Sequence, residues 1–512
     1  MNYKLLGKIL GKIMILESIL MLAPLFISLI YGEGLQNALA FLIPICALAI
    51  LGFLMQRVKP KRRSLYQKEG FALVALVWIV MTVFGAVPFV VTGDVPNYID
   101  ACFEIMSGFT TTGASIIPDI TVISYSILFW RSFSHWIGGM GILVFVLIFI
   151  PESDDGSSMH LLRAESPGPQ VGKIASKMKV TARILYLIYL CLTALEVIVL
   201  MCGPLVEHPD YQGNKFFYAL LTSFGSAGTG GFGFIPNSFE YFTPFAQYTV
   251  SIFLIIFGCN FALYYLILLG KVKDVFKSEE FRTYLIMIFA AVGVIVTSLI
   301  SKLSSVYTVE EAIRHSLFQV ASIITTTGYS TTNFNMWPEI ARTVLIILMF
   351  TGAMAGSTAG GMKLSRIVIA VKGTLVNIRK LINPRYVSKT KFEGKSLDER
   401  TKNDVFSFIS LYLILLMVVT LILSFDPVNG TEVSIVTDLG KDVSTHSFSS
   451  NFTASLSCLS NIGPGIDAVG PYSSFAGYNW FSTLILTFTM LMGRLEILPV
   501  LILFTPRTWK RT

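Results

Sequence analysis

The sequence predicts an all-α polytopic membrane protein, with two spanning helices ahead of four helix–hairpin–helix units. Three observations predict it. Of the 512 residues, 54% are hydrophobic and 14% charged, against roughly 25% charged in soluble domains, and the mean hydropathy is +0.69. Ten apolar runs are long enough to be read as crossings, given the about 20 residues that a helix needs to traverse the hydrocarbon. Between the later runs lie four shorter apolar stretches, each ending in small residues around a glycine. This composition excludes a secreted protein, a soluble enzyme and a disordered chain.

The ten runs fall near 13–31, 36–56, 71–92, 122–150, 180–203, 243–270, 281–301, 339–372, 404–424 and 478–504. Lys4, Lys8 and Lys12 precede the first run and no small-residue cleavage site follows it, so it reads as a retained helix and not a signal peptide. Alternate connections hold 32 of the 39 Lys and Arg residues, within 1–12, 57–68, 163–183, 271–282, 363–402 and 507–511. The intervening connections carry acids, among them Glu33, Asp94, Glu207, Asp426 and Glu432. Basic loops stay on the cytoplasmic side, so both termini are expected there. The formal charge of +8 is then explained by loops lying against membrane lipid, without nucleic acid. Six cysteines without a CxxC pair predict neither a disulfide framework nor a zinc site.

The four short stretches read CFEIMSGFTTTGAS (102–115), YALLTSFGSAGTGGFG (218–233), SLFQVASIITTTGYS (316–330) and FTASLSCLSNIGPG (452–465). Each apolar part is too short to span but long enough to enter the membrane as a helix and return as an extended strand. Irregular backbone at that depth survives only where protein buries it or water lines it. Successive backbone carbonyls can replace the hydration shell of a cation. Glycine reaches the dihedrals that aim neighbouring carbonyls at one axis, and β-branched residues do not reach them cheaply. Threonine adds a hydroxyl that can face the ion or brace the strand. The preceding helix ends in carbonyls carrying about half a negative charge, which suits a cation. A Gly/Thr-rich turn closing two helices would account for one such segment, but turns have no reason to repeat both composition and depth four times.

On these motifs the sequence resembles the TrkH/KtrB superfamily of potassium uptake proteins, whose four non-identical units surround a single pore. SGFTTTGAS (107–115), SIITTTGYS (322–330), GSTAGGMK (356–363), RAESPGP (163–169) and MGRLEIL (492–498) carry the resemblance, which covers nearly the whole chain. The two helices before the first unit resemble the TrkH branch. The resemblance implies two extra helices in 1–67 and pore units in 68–170, 171–275, 276–390 (with an intramembrane gating loop) and 391–512. It implies a K+ selectivity filter around Gly113, Gly231, Gly328 and Gly463, with Thr111 and Thr112, Gly230, Thr326 and Thr327, and Asn461 and Ile462 before them. It also implies K+ uptake through a multi-pass protein of a bacterial cytoplasmic membrane, a homodimer, no organic cofactor, and a cytosolic TrkA-type nucleotide-binding subunit. Loops 151–179, 271–280 and 373–402 are too short to house a nucleotide-binding domain, so any such sensor is a separate chain. The basic stretch 363–402 is a candidate docking surface for it, although the positive-inside bias explains the same residues.

Charged side chains inside spans are functional suspects. Arg494 lies in the last run, and its family counterpart projects into the pore as a barrier; a buried pair with Glu496 or another acid is the structural alternative. Glu104 is expected to be structural, and Arg131 and Arg342 to be interface anchors or outer-surface partners of acids. Residues 351–361, TGAMAGSTAGG, are all Gly, Ala, Ser or Thr except Met354. Close helix packing would use such residues, but the glycines also weaken helix by about 1 kcal/mol each. An unwound gate containing Gly352, Gly356, Ser357, Gly360 and Gly361 is therefore expected, with Lys363 pairing to an acid. The five histidines share no ligand spacing, and no GxSxG, HExxH or Walker A motif occurs, so no enzyme is expected. A Na+-permeable variant and a coupled K+/H+ or K+/Na+ symporter are the competing readings. Gly113, where a serine goes with sodium permeation in the family, and the scarcity of midplane acids beyond Glu17, Glu196 and Glu496 weigh against them.

Overall fold

The computed structural model describes residues 1–58, 67–141, 178–383, 389–437 and 440–506. Among them, six helical stretches are long and apolar enough to cross a membrane: Tyr3–Tyr31, Leu35–Gln56, Lys68–Thr92, Val180–Cys202, Glu279–Lys302 and Glu399–Leu423. The first two pack on each other so closely that a Cβ on Gly52 would lie 2.6 Å from Gly11 O, the approach that small residues permit between membrane helices. The other four stretches are the outer helices of the four units.

Within each unit a short pore helix follows: Tyr98–Phe109, Lys215–Gly228, Val309–Ile324 and Phe448–Ser460. Three begin at side-chain caps, with Asn97 accepting from Ile99 N, Asn214 from Phe216 N and Thr308 from Glu311 N. Such caps satisfy amides that no helix carbonyl reaches. In the third, Glu311 returns a bond to the Thr308 backbone, and that backbone bond first, then the Thr308 hydroxyl, holds its carboxyl below the usual range.

The inner helices that follow are broken: a break is expected from the sequence within 339–372, whereas the runs 243–270 and 478–504, read as single crossings, are corrected. Pro244–Phe257 and Phe261–Leu268 meet at 90°. Glu339–Phe350 and Leu364–Ile382 are separated by 351–363, which has neither helix nor strand. Trp480–Arg494 and Leu498–Leu503 are separated by a turn with Glu496 and Ile497 at positive φ. In the first unit Tyr125–Gly139 ends two residues before Gly141 at φ +79, and 142–150 lie outside the described residues, as does RAESPGP. An apolar run reports depth in the membrane but not continuity of the helix, so these breaks are invisible to hydropathy.

Each outer helix packs on its own pore helix. Each inner helix lies between the pore helix of its own unit and that of the next, and the fourth inner helix returns to the first pore helix. Four pore and four inner helices thus alternate around a closed ring. Glycine permits the tightest of these contacts: a Cβ on Gly138 would lie 1.8 Å from Phe109 O, and one on Gly493 2.2 Å from Leu459 O. Among the described residues the strands form two antiparallel hairpins, Lys391–Phe392 with Lys395–Ser396 and Glu432–Thr437 with Gly440–Thr445.

Candidate functional site

All four pore helices end in the same turn. Thr111, Thr229, Thr326 and Asn461 each have φ of 56°. The amide of the following residue donates five residues back in every unit: Thr112 to Ser107 O (2.8 Å), Gly230 to Gly225 O (2.9 Å), Thr327 to Ser322 O (2.8 Å) and Ile462 to Ser457 O (3.0 Å). This is how a left-handed residue closes a helix C-terminus. It corrects the assignment of the unusual dihedrals to glycine alone, since three of the four left-handed residues are β-branched. Each costs about 1–3 kcal/mol and persists only where its surroundings over-determine it; the repeated backbone bond contributes to that.

Side-chain bracing is less regular. Thr110 pairs with Thr112, and Thr325 with Thr327, hydroxyl to hydroxyl at 2.8 Å. Thr110 and Thr325 also donate to Met106 O and Ala321 O at 2.7 Å. In the second unit Thr229 donates to Gly228 O at 2.6 Å. In the fourth, Asn461 Nδ2 reaches Thr112 Oγ1 of the first unit at 3.0 Å and Met490 O at 2.9 Å.

The turns close on one another. A Cβ on Gly113 would lie 2.6 Å from Gly231 N; on Gly231, 2.4 Å from Thr327 O; on Gly328, 2.0 Å from Ile462 O; on Gly463, 2.8 Å from Thr112 O. The four glycines therefore form a ring in chain order, each excluding a side chain by the backbone of the next. Gly113, Gly328 and Gly463 also have positive φ (79°, 89° and 107°), whereas Gly231 does not. On one side the ring opens into a cavity of about 180 Å³ lined by all four glycines together with Arg131 and Asp119. The Thr121 hydroxyl first, and then its amide, holds the Asp119 carboxyl below its usual range. Behind the first turn Arg131 Nε meets Glu104 Oε1 at 2.7 Å, both buried, which corrects the expected outer-surface place of Arg131. Glu104 Oε2 accepts from Ile116 N at 2.8 Å, and Arg131 also reaches Gly233 O of the second unit at 3.1 Å. Arg342 instead pairs with Glu339 of its own helix.

On the other side of the ring lies 351–363. Gly360 N donates to Thr326 Oγ1 at 2.7 Å, and a Cβ on Gly360 would meet Asn461 Cβ and Ser460 O at 2.8 Å. A Cβ on Gly361 would lie 3.3 Å from Ser460 O, whereas one on Gly352 would abut Gly360 O and one on Gly356 would abut Asn260. Backbone bonds hold the stretch: Gly352 N to Met362 O (2.7 Å), Met354 N to Gly258 O (3.2 Å), Phe261 N to Gly356 O (3.0 Å) and Leu364 N to Ala353 O (3.1 Å). Ser357 Oγ donates to Met354 O at 2.7 Å. Lys363 was expected to pair with an acid; its ammonium instead donates to Ala359 O, a carbonyl freed by the unwound backbone. Glu496, the acid named in the structural alternative for Arg494, pairs with Arg366. Arg494 bridges three elements, donating to Thr111 Oγ1 (3.0 Å), Thr358 O (3.0 Å), Gly138 O (2.5 Å) and Gly139 O (3.0 Å). Sequence reasoning missed Glu280, which accepts from Ala355 N and Ser365 N; KSEEF reads only as an acidic helix start.

A family model described as "TrkH: Cation transport protein" matches residues 34–511. The chain is 33% identical over 516 residues to the Trk system potassium uptake protein TrkH of Escherichia coli K12, covering 100% of both. It is 29% identical to TrkG of the same organism, covering 98% of this chain and 97% of that one. The crystal structure of the potassium transporter TrkH from Vibrio parahaemolyticus superposes with a TM-score of 0.83 at 30% identity, covering 100% of both chains.

Proposed function

The chain belongs to the TrkH family of cation transport proteins, and on that premise we propose that it takes up K+ across the bacterial cytoplasmic membrane through the ring of four turns. Thr111, Thr112, Gly113, Gly230, Gly231, Thr326, Thr327, Gly328, Asn461, Ile462 and Gly463 form the selectivity filter, and the cavity outside it is the vestibule. Stretch 351–363 is the gate, and Arg494 is both a charge barrier and a tie on the gate. Both termini are cytoplasmic, the protein works as a homodimer, and a cytosolic TrkA-type nucleotide-binding subunit regulates it. The four pore units are 68–170, 171–275, 276–390 and 391–512.

One observation carries the reading: four unlike sequences end in one turn geometry and close on one axis. Four pore-helix C-termini therefore converge there, each contributing about half a negative charge, and dehydrated K+ needs such a converging set of oxygens. The test is K+ influx into liposomes bearing the purified protein, with K+ replaced by Na+, and growth rescue of a potassium-uptake-deficient bacterium with and without a TrkA-type partner. Influx that Na+ supports as well as K+ would reassign the ring as weakly selective. Influx driven by an imposed proton gradient would reassign it as a symporter.

A further inference from the structure

We infer that Glu280 is a positioning residue that latches 351–363 beneath the ring, and that the hairpin Lys391–Ser396 is the lever that seats it. The inference rests on reading 351–363 as the gate. The Glu280 side chain is buried, 5% exposed. Its Oε1 accepts from Ala355 N at 2.8 Å and from Ser365 N at 3.1 Å, so one oxygen joins the chain before and after the residues that touch the ring. Both amides need it. Ser365 is in the first turn of Leu364–Ile382, where no helix carbonyl reaches, and Ala355 lies in unwound backbone at membrane depth, where an unpaired amide is costly.

Capping its own helix does not explain the Glu280 carboxylate. The cap of Glu279–Lys302 is Ser278, which accepts from Phe281 N. The Glu280 backbone amide instead donates to Glu393 Oε1 at 2.9 Å, and Glu393 also takes the Ser278 hydroxyl at 2.9 Å. Glu393 sits at the tip of the hairpin with φ of 49°. Phe392, 3% exposed, packs in a small cluster with Ile369 and Val405, and Lys372 Nζ donates to Lys391 O at 3.2 Å. Ile369 and Lys372 belong to the helix that leaves the gate. The contacts therefore form a circuit from hairpin to Glu280, from Glu280 to Ala355 within 351–363 and to Ser365 just after it, and through Leu364–Ile382 back to the hairpin. A displacement of the hairpin moves Glu280 and the exit helix together.

The test is hydrogen–deuterium exchange of peptides covering 351–365 in the purified full chain, alongside K+ influx into liposomes. Glu280→Ala removes the acceptor and should speed exchange of these amides and influx roughly tenfold or more, since two buried amides lose their acceptor together. Glu280→Gln keeps a carbonyl acceptor and should stay much nearer the parent in both, whereas Glu280→Met, of similar volume but without that acceptor, should follow Glu280→Ala, which a general packing role would not predict. Glu393→Ala, which leaves the carboxylate of Glu280 in place, should give a smaller increase at 351–365 and serves if Glu280→Ala cannot be purified. Unchanged exchange in the Glu280→Ala protein, or in Glu393→Ala where only that can be made, overturns the latch. Faster exchange with unchanged influx upholds the latch and overturns the reading of 351–363 as the gate.

Discussion

Arg494→Ala should raise K+ influx at matched protein level, for two reasons that the geometry separates. The first is the bond to Thr358 O at 3.0 Å, which ties 351–363 to the fourth inner helix. A hydrogen bond to a charged group contributes about 1.5–3 kcal/mol, and the partial exposure of Arg494 favours the lower figure. About 1.4 kcal/mol is a factor of ten, so loss of this bond shifts the balance away from the blocking arrangement roughly tenfold. The second reason is charge. The guanidinium lies 3.0 Å from the Thr111 hydroxyl, so a cation held by that hydroxyl would sit about 6 Å from it, with repulsion of about 3 kcal/mol at an effective dielectric near 20. Arg494→Lys separates the two. It keeps the charge but cannot reproduce a planar fork bonded to three elements, so its influx should lie between those of the parent and the alanine variant. Rubidium or potassium influx into liposomes, normalised to reconstituted protein, reads all three. An Arg494→Ala protein that is monodisperse and conducts like the parent would refute both arguments.

Gly113→Ser should reduce discrimination between K+ and Na+, since the new Cβ would press within 2.6 Å of Gly231 N; bi-ionic reversal potentials unchanged within error would refute that place for the filter. Gly360→Ala should weaken the blocking arrangement and raise basal influx with ion preference kept, because its Cβ collides with Ser460 O and Asn461 Cβ; altered preference with normal gating would refute the assignment. Replacing Gly356, Gly360 and Gly361 together by alanine should also blunt the response to a regulatory subunit, read in paired recordings with and without that partner. Glu104→Gln should lower thermal stability, as breaking a buried ion pair costs about 3–5 kcal/mol, and Arg131→Met added to it should restore part of the loss in a melting assay.

The ring was legible in the sequence for a reason only partly stated by the sequence. Glycine marks each turn, and the expectation was that dihedral freedom requires it. That argument fails at Gly231, whose φ is ordinary. Glycine stands there because a Cβ would lie 2.4 Å from Thr327 O of the next unit. The left-handed step falls instead on Thr111, Thr229, Thr326 and Asn461, where composition gives no warning because the cost is offset by the bond that the next residue's amide makes to a carbonyl five positions before it. Local spacing revealed what each hairpin shares. It could not reveal Arg366 with Glu496, 130 residues apart, or Glu280 with Ser365, 85 apart, since each side reads as an ordinary helix-end charge until the fold joins them. The break at 495–497 was hidden for a related reason: Glu496 and Ile497 carry its positive φ, and neither is a residue from which a turn is read.

The same distinction says how substitutions at the ring should behave. The backbone bonds repeat in all four units, but the braces do not: hydroxyl pairs serve units one and three, and Asn461 ties unit four to Thr112 of unit one. Thr325→Val removes a brace internal to its unit and should disturb one quarter of the ring. Asn461→Leu removes a link between units and should disturb two. Ion preference should therefore fall further for Asn461→Leu than for Thr325→Val when both are measured by reversal potential at equal expression. Equal losses would mean that the braces act through general packing and not through the particular turns they join.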